Sequence, residues 1–89
     1  MINRTVTIRN QLGIHARPAG QFVRIASQYK SFVYIGKNGK EVNGKSIMGV
    51  LMLAAGFGTE LNLRVEGEDE EAAMAALVDL IENKKFDEE

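Results

Sequence analysis

Between Glu60 and Glu66 the chain alternates without a break: Leu61, Leu63 and Val65 fall on one side, Asn62, Arg64 and Glu66 on the other. A period of two marks a strand with one dry face and one wet face. A sheet of such strands needs helices over its apolar side and leaves its polar side to water. Met1 to Arg9 reads the same way. Ile2, Val6 and Ile8 share a face, Thr5, Thr7 and Arg9 take the other, and Arg4 interrupts the apolar row near an edge or end. Phe32 to Ile35 is aromatic and β-branched, and Asn38-Gly39 is a strong hairpin turn, closed by a short strand from about Lys40 to Val42.

The covering layer is legible from the helical period. Ala19, Phe22, Val23 and Ala26 repeat at i, i+3, i+4 and i+7, which predicts a helix over about 16–27 with one buried stripe. Pro18 fits only in its first turn, so the helix begins beside His15. Ser46 is a good N-cap for the apolar run Ile47 to Ala55, which Gly56 and Gly58 are expected to end. A last helix over about 69–83 carries the stripe Ala73, Leu77, Leu80 and Ile81. Asp69, Glu70 and Glu71 suit its positive end, and Lys84 and Lys85 its negative end. The tail Asp87-Glu88-Glu89 is expected to fray. The order β-α-β-β-α-β-α predicts an α/β (α+β) open-faced sandwich in a single domain, residues 1–89, without linker or repeat.

Composition removes several classes of function. With no cysteine and one histidine, the chain has no disulfide framework, no thiolate site and no multi-histidine metal site. A net charge of −1 lacks the basic surplus of a nucleic-acid binder. There is no signal-peptide pattern and no apolar stretch of membrane-spanning length, so a cytoplasmic protein without membrane insertion is expected. A stand-alone enzyme would need an acid/base pair, and no second histidine or further catalytic motif supplies one. No cofactor is expected.

The chemistry concentrates in Leu12-Gly13-Ile14-His15-Ala16-Arg17-Pro18-Ala19. His15 stands at or just before a helix start, where backbone N–H groups lack intrahelical partners and the dipole favours anions. Positive potential at that end disfavours the imidazolium, and a neutral imidazole is a nucleophile. Arg17, in the first turn, can make charge-assisted hydrogen bonds to a phosphoryl group, whose transfer needs positioning and charge stabilisation above all. Gly13 lets the loop turn into the site. From these residues alone, a weak cap or a surface histidine remains the commoner reading, and a protein-binding module using only the second helix remains open.

A resemblance decides between them. Gly13-Ile14-His15-Ala16-Arg17-Pro18-Ala19 resembles the active-site signature of the HPr family, the histidine-containing phosphocarriers of the bacterial phosphoenolpyruvate-dependent phosphotransferase system. Asn43-Gly44-Lys45-Ser46-Ile47-Met48-Gly49-Val50 is similar to its second signature, around a regulatory serine. Gly58-Thr59-Glu60-Leu61 and Glu66-Gly67-Glu68-Asp69-Glu70 match further segments, and the likeness covers nearly the whole chain without insertions.

The resemblance implies a four-stranded antiparallel sheet covered on one face by three helices. It implies that His15 accepts a phosphoryl group from phosphorylated enzyme I, through the δ-nitrogen, and passes it to a histidine of an enzyme IIA domain. Arg17 would steady the group, with Ala16 and Pro18 forming the helix start beside it. Ser46 would be phosphorylated by an ATP-dependent HPr kinase/phosphorylase. Ile47, Met48, Leu51 and Met52 would lie in the partner-binding surface, with Arg24 adding a basic contact. A nitrogen-related branch, whose relay regulates without transporting sugar, fits the same motifs. Gly20 and Phe57 depart from the family pattern: Gly20 replaces a small or hydroxylated residue, and Phe57 stands where lysine is common. A monomer is expected from the small size.

Overall fold

The computed structural model describes residues 1–88. Its elements are β1 (Ile2–Thr7), α1 (Ala16–Ala26), β2 (Phe32–Lys37), β3 (Lys40–Asn43), α2 (Ile47–Met52), β4 (Glu60–Glu66) and α3 (Glu70–Val78). The chain then continues through a π-helical turn, Asp79–Asn83, and a short closing turn, Lys85–Glu88. The four strands form one antiparallel sheet in the order β1-β4-β2-β3.

β4 lies in the middle and sets the register. Leu61 pairs with Val6 of β1, Leu63 with Ile35 of β2, and Val65 with both Ile2 and Val33. The alternation therefore sends Val6, Val33, Ile35, Leu61, Leu63 and Val65 into one buried layer. Phe22 and Ala26 of α1, Val50 of α2, and Ala73, Met74 and Leu77 of α3 close over it. The β2–β3 hairpin turns at Asn38 and Gly39, both left-handed (φ 53° and 82°), as a two-residue Asn-Gly turn requires. On the water side, Arg64 grips Glu41 through Nε and Nη2 at 3.0 and 2.7 Å and lies 4.0 Å from the centre of the Tyr34 ring. The guanidinium holds the Glu41 carboxyl below the usual range, chiefly through those hydrogen bonds. The polar face is thus fastened across three strands.

Three elements differ from the sequence expectation. α2 stops at Met52, before Gly56 and Gly58: Leu53 caps it and Ala54 turns left-handed (φ 50°). Lys37 Nζ donates to the carbonyls of Leu53 and Ala54 at 3.0 and 3.2 Å, so a lysine from β2 satisfies the open end of the helix. Asp69 caps no N–H of α3 with its side chain. Its carboxylate instead accepts from the amides of Lys30 and Ser31 (2.8 and 2.9 Å) and from the Ser31 hydroxyl, tying the α1–β2 loop to the start of α3. These bonds, that from the Ser31 hydroxyl first, pull its pKa down.

The third difference is at the end of the chain. Lys85, Phe86 and Asp87 are all left-handed (φ 51°, 51° and 58°), and the turn drives Phe86 into the core, fully buried. Lys84 pairs with Asp79 at 3.7 Å, and Lys85 belongs to the closing turn rather than to the end of α3. Of the expected frayed tail, Asp87 belongs to this turn, its amide donating to Lys84 O at 2.8 Å, while Glu89 lies outside the described residues. No helix among the described residues is long and apolar enough to cross a membrane.

Candidate functional site

The loop between β1 and α1 is fastened along its length. The Ile8 amide donates to Thr59 O, and the Gly58 amide to Ile8 O, both at 2.9 Å, so the loop starts against the turn that precedes β4. Asn10 is fully buried, and its Nδ2 donates to the Gly13 carbonyl at 2.7 Å. The Gly13 amide returns to Asn10 O at 3.2 Å, and the Ile14 amide donates to Ala55 O at 2.9 Å. Gly13 is left-handed (φ 70°) and packs so closely that a Cβ there would lie 2.7 Å from Gly56 Cα and run into the Ala55 carbonyl. Only glycine meets both conditions.

This brings His15 to the N-cap of α1. Its backbone is extended (φ −106°, ψ −162°), and its carbonyl accepts the first helical bond, from Ala19 N at 3.0 Å. Its side chain makes no capping bond, so the imidazole is not committed to the helix as a Ser or Asp cap would be. The ring is half-buried, and Nε2 is enclosed with no hydrogen-bond partner among the described residues. Helix geometry leaves the Ala16 and Arg17 amides without intrahelical acceptors, and Pro18 has no N–H to satisfy. Pro18 and Ala19 are buried, which seats the helix start firmly. Arg17 is exposed in that first turn, and Arg24, seven residues on, is exposed two turns further along the same side.

The segment that follows α2 meets the histidine loop through Ala55 and Gly56. The N-terminal side of α2 carries Ser46, half-buried, whose Oγ accepts from the Gly49 amide at 3.1 Å as the N-cap. Six helical residues, about 9 Å of rise, separate the two ends of α2. Val50 is its one buried residue and Leu51 is half-buried. Ile47, Met48 and Met52 are exposed, Met48 and Met52 by more than 60%. The described exposed apolar side chains also include Leu12 and Phe57, in the two loops that meet at Gly13 and Gly56. Gly20 has open space where a Cβ would stand.

His15, Arg17, Ala16 and Pro18 thus come together. Arg24 extends their helix side, and Ser46 is the N-cap of α2. Sequence reasoning missed Asn10 and the Ala55 carbonyl. No group of three or more acidic, histidine or cysteine side chains that could hold a metal occurs among the described residues.

A family model described as the PTS HPr component phosphorylation site matches residues 2–83. The phosphocarrier protein HPr of Pseudomonas aeruginosa is 55% identical over 84 residues, covering 93% of this chain and 92% of that one. The crystal structure of HPr from Thermoanaerobacter tengcongensis superposes with a TM-score of 0.94 at 49% identity, over 100% of this chain and 99% of that one. A crystal structure of an HPr dimer from the same organism matches with a TM-score of 0.75 at 48% identity, over 96% and 98% of the two chains.

Proposed function

This chain belongs to the HPr family of phosphocarriers, and on that premise we propose that His15 takes a phosphoryl group from phosphorylated enzyme I and passes it to a histidine of an enzyme IIA domain. The observation that carries the reading is the posture of His15: the cap residue of α1, with its side chain left out of the cap. With Nε2 enclosed, the attack is assigned to Nδ1. Its lone pair forms the new P–N bond as the bond to the donor's nitrogen breaks. The Ala16 and Arg17 amides, the helix dipole and the Arg17 guanidinium face the charge carried by the phosphoryl oxygens. A loose transition state asks little else of the protein. The same donors hold phosphohistidine weakly enough to release it when a second histidine approaches in line.

Met48, Met52, Ile47 and Leu51 supply an adaptable apolar contact for both partners, and Arg24 a basic one at its margin. Ser46 is the regulatory position, phosphorylated by an ATP-dependent kinase/phosphorylase. A phosphate on this N-cap agrees with the helix dipole and leaves the fold intact. Its proposed action is to place negative charge on the docking surface that α2 contributes. The proposed working unit is a monomer of one domain, residues 1–89, a reading supported by α1, its preceding loop and α2 of the same chain carrying all of the proposed site residues. The exchange is placed in the cytoplasm.

The test is intact-mass analysis after incubation with phosphoenolpyruvate and enzyme I. One acid-labile phosphoryl group is expected, absent from His15→Ala. No adduct, or an adduct retained by His15→Ala, overturns the reading. A parallel incubation with ATP and HPr kinase/phosphorylase is expected to modify the protein but not Ser46→Ala.

A further inference from the structure

We propose that Asn10 is a positioning residue for the exchange at His15, its side-chain amide holding the peptide plane from which the reactive segment departs. The role rests on the carrier reading of His15. Gly13 C=O and Ile14 N–H belong to one peptide unit. Asn10 Nδ2 holds the oxygen end at 2.7 Å, and the Ala55 carbonyl holds the hydrogen end at 2.9 Å. With both ends held, rotation of the plane is restrained, and so is the direction in which Ile14 leads to His15. The Gly13 amide, bonded to Asn10 O at 3.2 Å, closes the turn from the other side.

The residue type is informative. A wholly buried primary amide is unfavourable unless it is hydrogen-bonded, so a position that only needed filling would be served better by an apolar side chain. What the loop needs is a donor facing the Gly13 carbonyl. Aspartate has the same shape but presents an acceptor there, oxygen against oxygen. Shape and hydrogen bonding can therefore be separated at this position.

The experiment measures single-turnover phosphoryl transfer from enzyme I to wild type, Asn10→Ala, Asn10→Asp and Val65→Ala. Val65 is a buried β4 residue paired with Ile2, at the opposite end of β1 from the loop, and serves as a destabilised control. Both Asn10 variants are expected to transfer about tenfold or more slowly, the scale on which misplaced reacting groups lose rate. The enzyme I concentration giving half the maximal rate is expected to stay unchanged, because the docking surface is untouched. Asn10→Asp is expected to be at least as slow as Asn10→Ala, and both to exchange the Ile14 amide hydrogen faster than Val65→Ala does. Two results overturn the proposal: Asn10→Asp transferring like wild type, or Asn10 variants slowed no more than Val65→Ala. A wild-type protein that takes no phosphoryl group is a different result, which overturns the carrier reading and this role with it.

Discussion

α1 and α2 meet at the same site but are anchored in opposite ways. α1 has 11 residues and sinks Pro18, Ala19, Phe22 and Ala26 out of water. α2 has six, sinks only Val50, and leaves Ile47, Met48 and Met52 outside. Burying one large apolar side chain contributes about 1.5–3 kcal/mol. The helix that carries His15 is therefore held by the core from its first turn onward. Its neighbour leaves apolar surface exposed, as the docking role proposed for it requires, and is secured by polar bonds at its ends: the Ser46 cap, and Lys37 on the Leu53 and Ala54 carbonyls. Under the proposed function, positioning and docking are divided between two helices.

That division can be broken most forcefully at Phe22. Phe22→Ala is expected to cost about 3–5 kcal/mol of stability in chemical denaturation. Met48→Ala, on the other helix, is expected to change stability by less than about 0.5 kcal/mol while weakening enzyme I binding severalfold in calorimetry. Equal losses of stability would show that α2 is a core element after all. Next in size is the cap of α2: Ser46→Ala should cost about 1 kcal/mol, with Ser46→Asp keeping the cap. Gly20→Ala should add up to about 1 kcal/mol, since the site has room and glycine is a poor helix former, and phosphoryl transfer should be unchanged.

The smallest effect concerns the far end of α1, where Asp69 holds the Lys30 and Ser31 amides. Its folded pKa is lowered, so it contributes stability above its unfolded value of about 3.9, lost as pH falls through the folded one. Denaturation below about pH 4 should therefore show a weaker acid dependence in Asp69→Asn than in wild type.

Much of the architecture was legible because it follows from periodicity. The alternation of β4, the stripe of α1 and the Asn38-Gly39 turn each express a local rule, and the structure obeys all three. The histidine, arginine and proline of the site were legible because they lie within four consecutive residues. What was hidden depends on distant partners. The end of α2 is set by a lysine from β2 and by a left-handed alanine, not by the glycines that follow. Phe86 enters the core through three successive left-handed residues, none of them glycine, which no propensity favours. Asp69 looks like a helix-dipole residue and serves instead as a tertiary clamp. Asn10 is polar and sits in a loop, so nothing local announced that it would be buried.

The central claim is that α1 presents one ring nitrogen of His15 for phosphoryl exchange. Nitrogen and phosphorus NMR of the protein after reaction with phosphoenolpyruvate and enzyme I reads this directly. The account predicts a single phosphate on Nδ1 of His15. A phosphate on Nε2, or none on the imidazole, would contradict it.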